Sequence, residues 1–283
     1  MLDKPHLQAY ISRLKPSWMG KFLYYFLPVR KKVILKNMSL VFDKVLSTQE
    51  IIKLAQCFYS HLARSLRENL MMRFMSMAQI CRSAQLIDND KISIAAQANK
   101  GVIILTGHLG NWEFAPIAAI ASFKDYHGRF HFVRRTLRNQ FLEKLLFRRY
   151  YQAGLKVIAK KNALNQVCDV LDNNDVVVFV MDQHAGTAQK DGIIAEFFGK
   201  KAGTYRSVAT IAQHTQVPVI PATSYRREDG KHVLQFFDPL PWIPQEDRRQ
   251  EVYLNTVAYN QALEKMILMH PEQWLWMHKR WKV

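Results

Sequence analysis

Cysteine is scarce in this chain. The three present among 283 residues, Cys57, Cys81 and Cys168, are odd in number and scattered. That excludes a disulfide framework and a zinc site, and it fits a reducing, cytosolic setting. Long apolar runs are also missing. The longest early one, Phe22 to Val29 (FLYYFLPV), falls short of the roughly 20 residues a spanning helix needs, so no transmembrane helix is expected. The opening Met1-Leu2-Asp3-Lys4-Pro5-His6 lacks the apolar core and cleavage site of a secretory signal, which argues against export. No Pro/Gly/Ser-rich linker divides the chain, so one structural domain is expected.

A hydrophobic content of 49% is enough for a substantial buried core. Lysine and arginine number 40 against 23 acidic residues, a formal charge of +17. This points to a polyanionic neighbour: nucleic acid, anionic lipid or an acidic protein. Nucleic acid is the least favoured, because basic runs such as Arg226-Arg227 and Arg248-Arg249 are short and carry none of the standard recognition motifs. The FLYYFLPV run is bracketed by Lys21 and Arg30-Lys31-Lys32. Two readings stay open for it: an interfacial anchor on anionic lipid, or an ordinary packed helix.

Residues 1–95 read as a helical N-terminal section. Ser47-Thr48-Gln49-Glu50 suits a helix cap, and Ile51, Leu54, Ala55, Phe58, Leu62 and Leu66 follow at helical spacing. Residues 96–283 read as the core. Val102 to Thr106, Phe130 to Val133, Leu155 to Ile158, Val176 to Met181, Val217 to Ala222 and His232 to Phe237 suit strands. Helical stretches at 114–122, 141–151, 163–172, 205–215 and 251–269 alternate with them. The expected fold is α/β, a mostly parallel sheet with helices on both faces.

The first of these strands runs into Gly107-His108-Leu109-Gly110-Asn111-Trp112-Glu113. Residues just beyond the carboxyl end of a parallel strand face the crevice where ligands bind. On a continuous helix His108 and Glu113 would point to different faces, so a turn must lie between them. Gly107 and Gly110 can supply unusual backbone angles, and Asn111 can cap a helix whose first turn holds Glu113. The carboxylate could then reach back to the imidazole, fix its tautomer and raise its basicity for taking a proton from a hydroxyl. The bland alternative is a buried histidine with a capping glutamate.

GHLGNWEF after a hydrophobic strand resembles the HxxxxE/D motif of the lysophospholipid acyltransferase superfamily, specifically the lipid A late acyltransferase (lauroyl/myristoyl transferase) branch. Arg135-Thr136-Leu137-Arg138-Asn139-Gln140 aligns with that branch's R-P-L-x-N-P motif without its two prolines. Arg148 or Arg149 ahead of Gly154, then Asp182-Gln183, then Phe197-Phe198-Gly199 with Ala202 and Thr204, follow in the family's order. The stretch from Pro271 to Lys282 looks like its closing signature, so the resemblance runs from about Arg30 to Lys282. No counterpart of the branch's usual N-terminal transmembrane helix is expected from these residues.

The resemblance implies a glycerol-3-phosphate acyltransferase-like fold. It also implies an O-acyltransferase that takes a fatty acyl group from an acyl carrier protein or coenzyme A thioester to a hydroxyl of a lipid A precursor or another glycolipid or phospholipid. No further cofactor, no metal and no acyl-enzyme intermediate are implied. His108 would be the general base and Glu113 its partner. Arg135, with Arg148 or Arg149, would bind phosphate, since guanidinium forks match phosphate oxygens. Asn111, Asp182, Gln183 and Arg206 complete the substrate-binding candidates, with Asp182 and Gln183 either positioning a reacting group or tying the loop to Arg135. Trp274, Trp276, Trp281 and His278 read as packing. The implied location is peripheral, on the inner face of the bacterial cytoplasmic membrane. The remaining alternative is a catalytically idle lipid or carrier-protein binding module.

Overall fold

The apolar runs that suit doubly covered strands become the middle of a seven-stranded sheet. The computed structural model describes residues 4–97, 100–123, 129–134, 147–159, 163–186 and 192–282. The strands of this sheet are β1 (Ala84–Ile87), β2 (Val102–Thr106), β3 (Phe130–Arg134), β4 (Leu155–Ala159), β5 (Val176–Val180), β8 (Val219–Arg226) and β9 (His232–Phe236), in the order β1-β9-β8-β2-β5-β3-β4. All adjacent pairs are parallel except β8 and β9. Strands β6 (Gly192–Phe197) and β7 (Lys200–Tyr205) form a two-stranded antiparallel ribbon of their own.

Period-two alternation divides the central strands between two apolar layers. Ile103, Leu105, Val177 and Val219 face a cluster shared with α4 (Thr48–Met72), α9 (Ser207–Thr215), α10 (Arg248–Met269) and the buried Trp274 and Trp276. Ile104, Phe130, Ala222 and Phe236 face the opposite way, toward α7 (Ala115–Ser122). The small side chains of α7 (APIAAIAS) let it lie close to the sheet.

The expected cap of α4 is a full capping box: Glu50 N–H donates to Ser47 Oγ at 3.3 Å, and Ser47 N–H donates to Glu50 Oε2 at 2.7 Å. The N-terminal section departs from the all-helical expectation by contributing β1, a short, partly exposed edge strand (AQLI) with no apolar run to announce it. Helix α2 (Trp18–Phe26) packs on α4 through Gly20 and Tyr24. A side chain at Gly20 would meet Ser60 Oγ and the Gln56 carbonyl, so close approach requires glycine there. The other face of α2 leaves Trp18, Phe22, Tyr25 and Phe26 exposed. Among the described residues no helix is long and apolar enough to cross a membrane.

Candidate active site

The neighbouring parallel strands β2 and β5 pair Thr106 with Val180, and the ladder continues with Met181 N–H donating to Thr106 O at 3.0 Å. The residues following each strand are therefore side by side. Asp182 meets His108 there: its Oδ2 accepts from the His108 backbone N–H at 2.8 Å, and its Oδ1 pairs with His108 Nδ1 at 2.8 Å. Trp274 Nε1–H donates to the same Oδ2 at 2.8 Å. Gly107 leaves room for this carboxylate, since a Cβ there would lie 3.2 Å from Asp182.

The electrostatics follow from these contacts. Burial alone would raise the Asp182 pKa, but the His108 charge and three hydrogen bonds outweigh it and hold the carboxyl well below its usual range, hence ionised. Burial opposes a charge on His108, yet Asp182's charge and hydrogen bond, aided by the charge of Glu113, leave the imidazole pKa above its ordinary value. An ionised Asp182 only accepts, so the proton stays on Nδ1, which donates to it, and the Nε2 lone pair accepts from the Gln183 amide, 3.3 Å away.

The imidazole's hydrogen-bonded partner is thus Asp182 and not, as local spacing suggested, Glu113. The turn between His108 and Glu113 is present, but Glu113 Oε2 accepts from the Tyr150 hydroxyl at 2.9 Å. Of the two glycines, only Gly110 uses left-handed backbone (φ +58°), where a Cβ would also strike the Ser224 carbonyl. Asn111 does cap the turn, its Oδ1 accepting from Phe114 N–H at 3.3 Å. Its amide donates to Glu68 at 3.0 Å, so this buried side chain is turned to the protein interior.

The loop is held from behind by backbone contacts. His108 O accepts from Leu275 N–H, Gly110 N–H donates to Gln273 O, and Ser224 Oγ–H donates to Leu109 O at 2.6 Å. His61 Nε2 donates to Gly110 O at 3.1 Å while its Nδ1 accepts from Arg226 at 3.0 Å; burial and the Arg226 charge push its pKa down to about 3, so it stays neutral. Arg226 also pairs with Glu68. Burial would raise the Glu68 pKa, but hydrogen bonds from His232, Arg226 and Asn111 hold it down to about 2.

In front of the loop lies a cavity of about 640 Å³ between the sheet and α7. At the carboxyl ends of the strands it is lined by Thr106, His108, Glu113, Arg134, Gln183 and Ser224. Toward their amino ends the lining turns apolar, with Ala119, Phe123, Phe130, Leu155, Val178 and Phe236. Among the described residues no cluster of three His, Cys, Asp or Glu side chains could hold a metal.

The basic candidates separate. Arg135 lies outside the described residues. Arg148 is exposed, and Arg149 donates to the carbonyls of Arg73 and Met75, at the end of α4. Arg206 is exposed beside Arg248 and Arg249 in another surface hollow. The guanidinium that does line the cavity belongs to Arg134, over the Phe147 ring at 3.5 Å. Alternation along β3 was the available signal, since Phe130, Phe132 and Arg134 share one face. Tyr150 was missed as a site residue because it carries no local motif, and Trp274, inside the closing signature, was read as packing only.

The family model described as bacterial lipid A biosynthesis acyltransferase matches residues 12–283. The chain is 23% identical over 272 residues to the lipid A biosynthesis palmitoleoyltransferase of Escherichia coli K12, covering 93% of this chain and 82% of that one. It is equally similar, over the same length and with the same coverage, to a lipid A biosynthesis acyltransferase of Shigella flexneri. It is also 23% identical over 265 residues to the lipid A biosynthesis lauroyltransferase of Escherichia coli K12, covering 93% and 83% of the two chains.

Proposed function

The chain belongs to the bacterial lipid A biosynthesis acyltransferase family and is an O-acyltransferase, and on that premise we propose how its residues divide the reaction. The observation that carries the proposal is the lone pair of His108 Nε2, held only by the Gln183 amide, at the polar end of an otherwise apolar cavity. The acyl chain of a carrier-protein or coenzyme A thioester occupies the apolar part of the cavity, whose whole volume falls in the usual range for ligand sites. No resident cofactor takes part. The acceptor is a hydroxyl of a lipid A precursor or a related glycolipid.

That hydroxyl replaces the Gln183 amide on His108 Nε2 and passes it a proton as its oxygen attacks the thioester carbonyl. The tetrahedral intermediate collapses, the C–S bond breaks, and the departing thiolate takes the proton back from the imidazolium. Arg134 supplies positive charge beside Glu113 for phosphate on acceptor or donor. The mostly parallel sheet with its covering helices supports reading the fold as glycerol-3-phosphate acyltransferase-like. The protein works peripherally on the cytoplasmic face of the membrane: the exposed Trp18, Phe22, Tyr25 and Phe26, flanked by Lys21, Arg30 and Lys32, suit an interfacial helix on anionic lipid.

Purified protein given a long-chain acyl thioester and a lipid A precursor is expected to yield the acylated lipid and one equivalent of free thiol, faster when the acceptor is in anionic vesicles. No product with either thioester donor overturns the reading.

A further inference from the structure

Among the described residues two acidic side chains lie within electrostatic reach of His108, and one of them, Asp182, is bonded to it. Glu113 is engaged by Tyr150, whereas Asp182 holds both the ring Nδ1 and the backbone N–H of His108. We infer that Asp182, clamped by Trp274, is the residue that sets the tautomer of His108 and stabilises the imidazolium formed during transfer, while Glu113 acts on the ring only through its charge. This deepens the general-base reading of His108 and rests on it. Asp182 touches neither donor nor acceptor, so it is a positioning residue.

The two oxygens of Asp182 are not equivalent, and this makes the inference testable. Oδ2 receives two N–H groups, from the His108 backbone and from Trp274, while Oδ1 faces only the ring. In Asp182→Asn the amide oxygen must take the Oδ2 position, since an NH2 there would confront two donors. The NH2 then faces Nδ1 and donates to it. The imidazole is driven to the opposite tautomer, with its proton on Nε2, where the acceptor hydroxyl needs a lone pair. Substrate-binding groups at the cavity are untouched by this near-isosteric change.

Among the described residues the charged and titratable groups around the ring are Asp182, Glu113 with its partner Tyr150, Arg134 on the same cavity wall, His278 and, beyond Asp182, Arg280. Since Asp182 raises the His108 pKa, wild-type activity should climb with pH above the ordinary histidine range as the base form appears. Removing that negative charge moves the residual acidic limb to lower pH.

Steady-state kinetics with a long-chain acyl thioester across pH would compare wild type, Asp182→Asn and Glu113→Gln. The expected result is a kcat loss of about 10³–10⁴-fold in Asp182→Asn with KM nearly unchanged. Its acidic limb should shift to lower pH, and the loss in Glu113→Gln should be smaller. Ring 15N spectra of the wild-type protein give a readout independent of turnover and of any variant's folding: above the imidazole pKa they should show the proton on Nδ1 of His108. A wild-type His108 with its proton on Nε2, or a fully active Asp182→Asn beside an inactive Glu113→Gln, overturns the inference. Correct Nδ1 protonation in a protein that transfers no acyl group would count against the enzymatic reading alone.

Discussion

The two ends of the cavity are built on opposite plans. At the carboxyl ends of the strands the loop carrying His108 is tied atom by atom: backbone groups of His108, Leu109 and Gly110 have partners in Asp182, Ser224, Gln273, Leu275 and His61. At the other end Ala119, Phe123, Phe130 and Phe236 offer only nonpolar contact. Hydrogen bonds constrain distance and angle, whereas apolar burial scales with area and is indifferent to direction. A proton transfer needs the first kind of control, and a flexible hydrocarbon chain is served by the second. The structure keeps the two on one sheet face, about one strand length apart.

Breaking the polar plan should cost most. Arg226→Met leaves the Glu68 carboxylate buried without its main cation, beside a His61 that has lost the donor to its Nδ1. A destabilisation of about 1.5–3 kcal/mol is expected, read from urea unfolding, because the half-buried carboxylate loses its shortest charged hydrogen bond and keeps only Arg64, His232 and Asn111. Altering the apolar end should instead change selectivity. Ala119 is fully buried on the cavity wall, so Ala119→Phe fills the slot. Transfer from long-chain donors should fall by about tenfold or more relative to short-chain donors, with only about 1–3 kcal/mol of overpacking cost. If both donors decline equally, the slot is not where the chain lies. The smallest effect is expected for Ser224→Ala, which removes one donor to Leu109 O. A loss of about 1 kcal/mol in stability and a few-fold in kcat should result, measured by thermal unfolding and initial rates.

Much of this comparison was legible in the residues themselves. Continuous apolar runs such as VVVFV and VIILT placed the inner strands within a residue or so, and the stretch Ala163–Asp172 matched its helix. Those features depend on local periodicity. The β6–β7 ribbon was overlooked because GIIAEF and KKAGTY lack such a run. The pairing of His108 with Asp182 was hidden for a different reason: it depends on β2 and β5 being neighbours, a fact of topology that no spacing inside GHLGNWE encodes. Alternation on β3, which turns Arg134 toward the cavity, was a signal for a further basic residue beside the Arg135 candidate, which lies outside the described residues.

The central claim is that His108 removes the acceptor's proton at the meeting point of the two plans. Its most direct test is kcat for acyl transfer by His108→Gln, a variant of similar reach that has no basic nitrogen. The account predicts a loss of about 10²–10⁴-fold with the KM for the acyl thioester little changed and the fold intact. A folded His108→Gln protein that transfers acyl groups at the wild-type rate would contradict it.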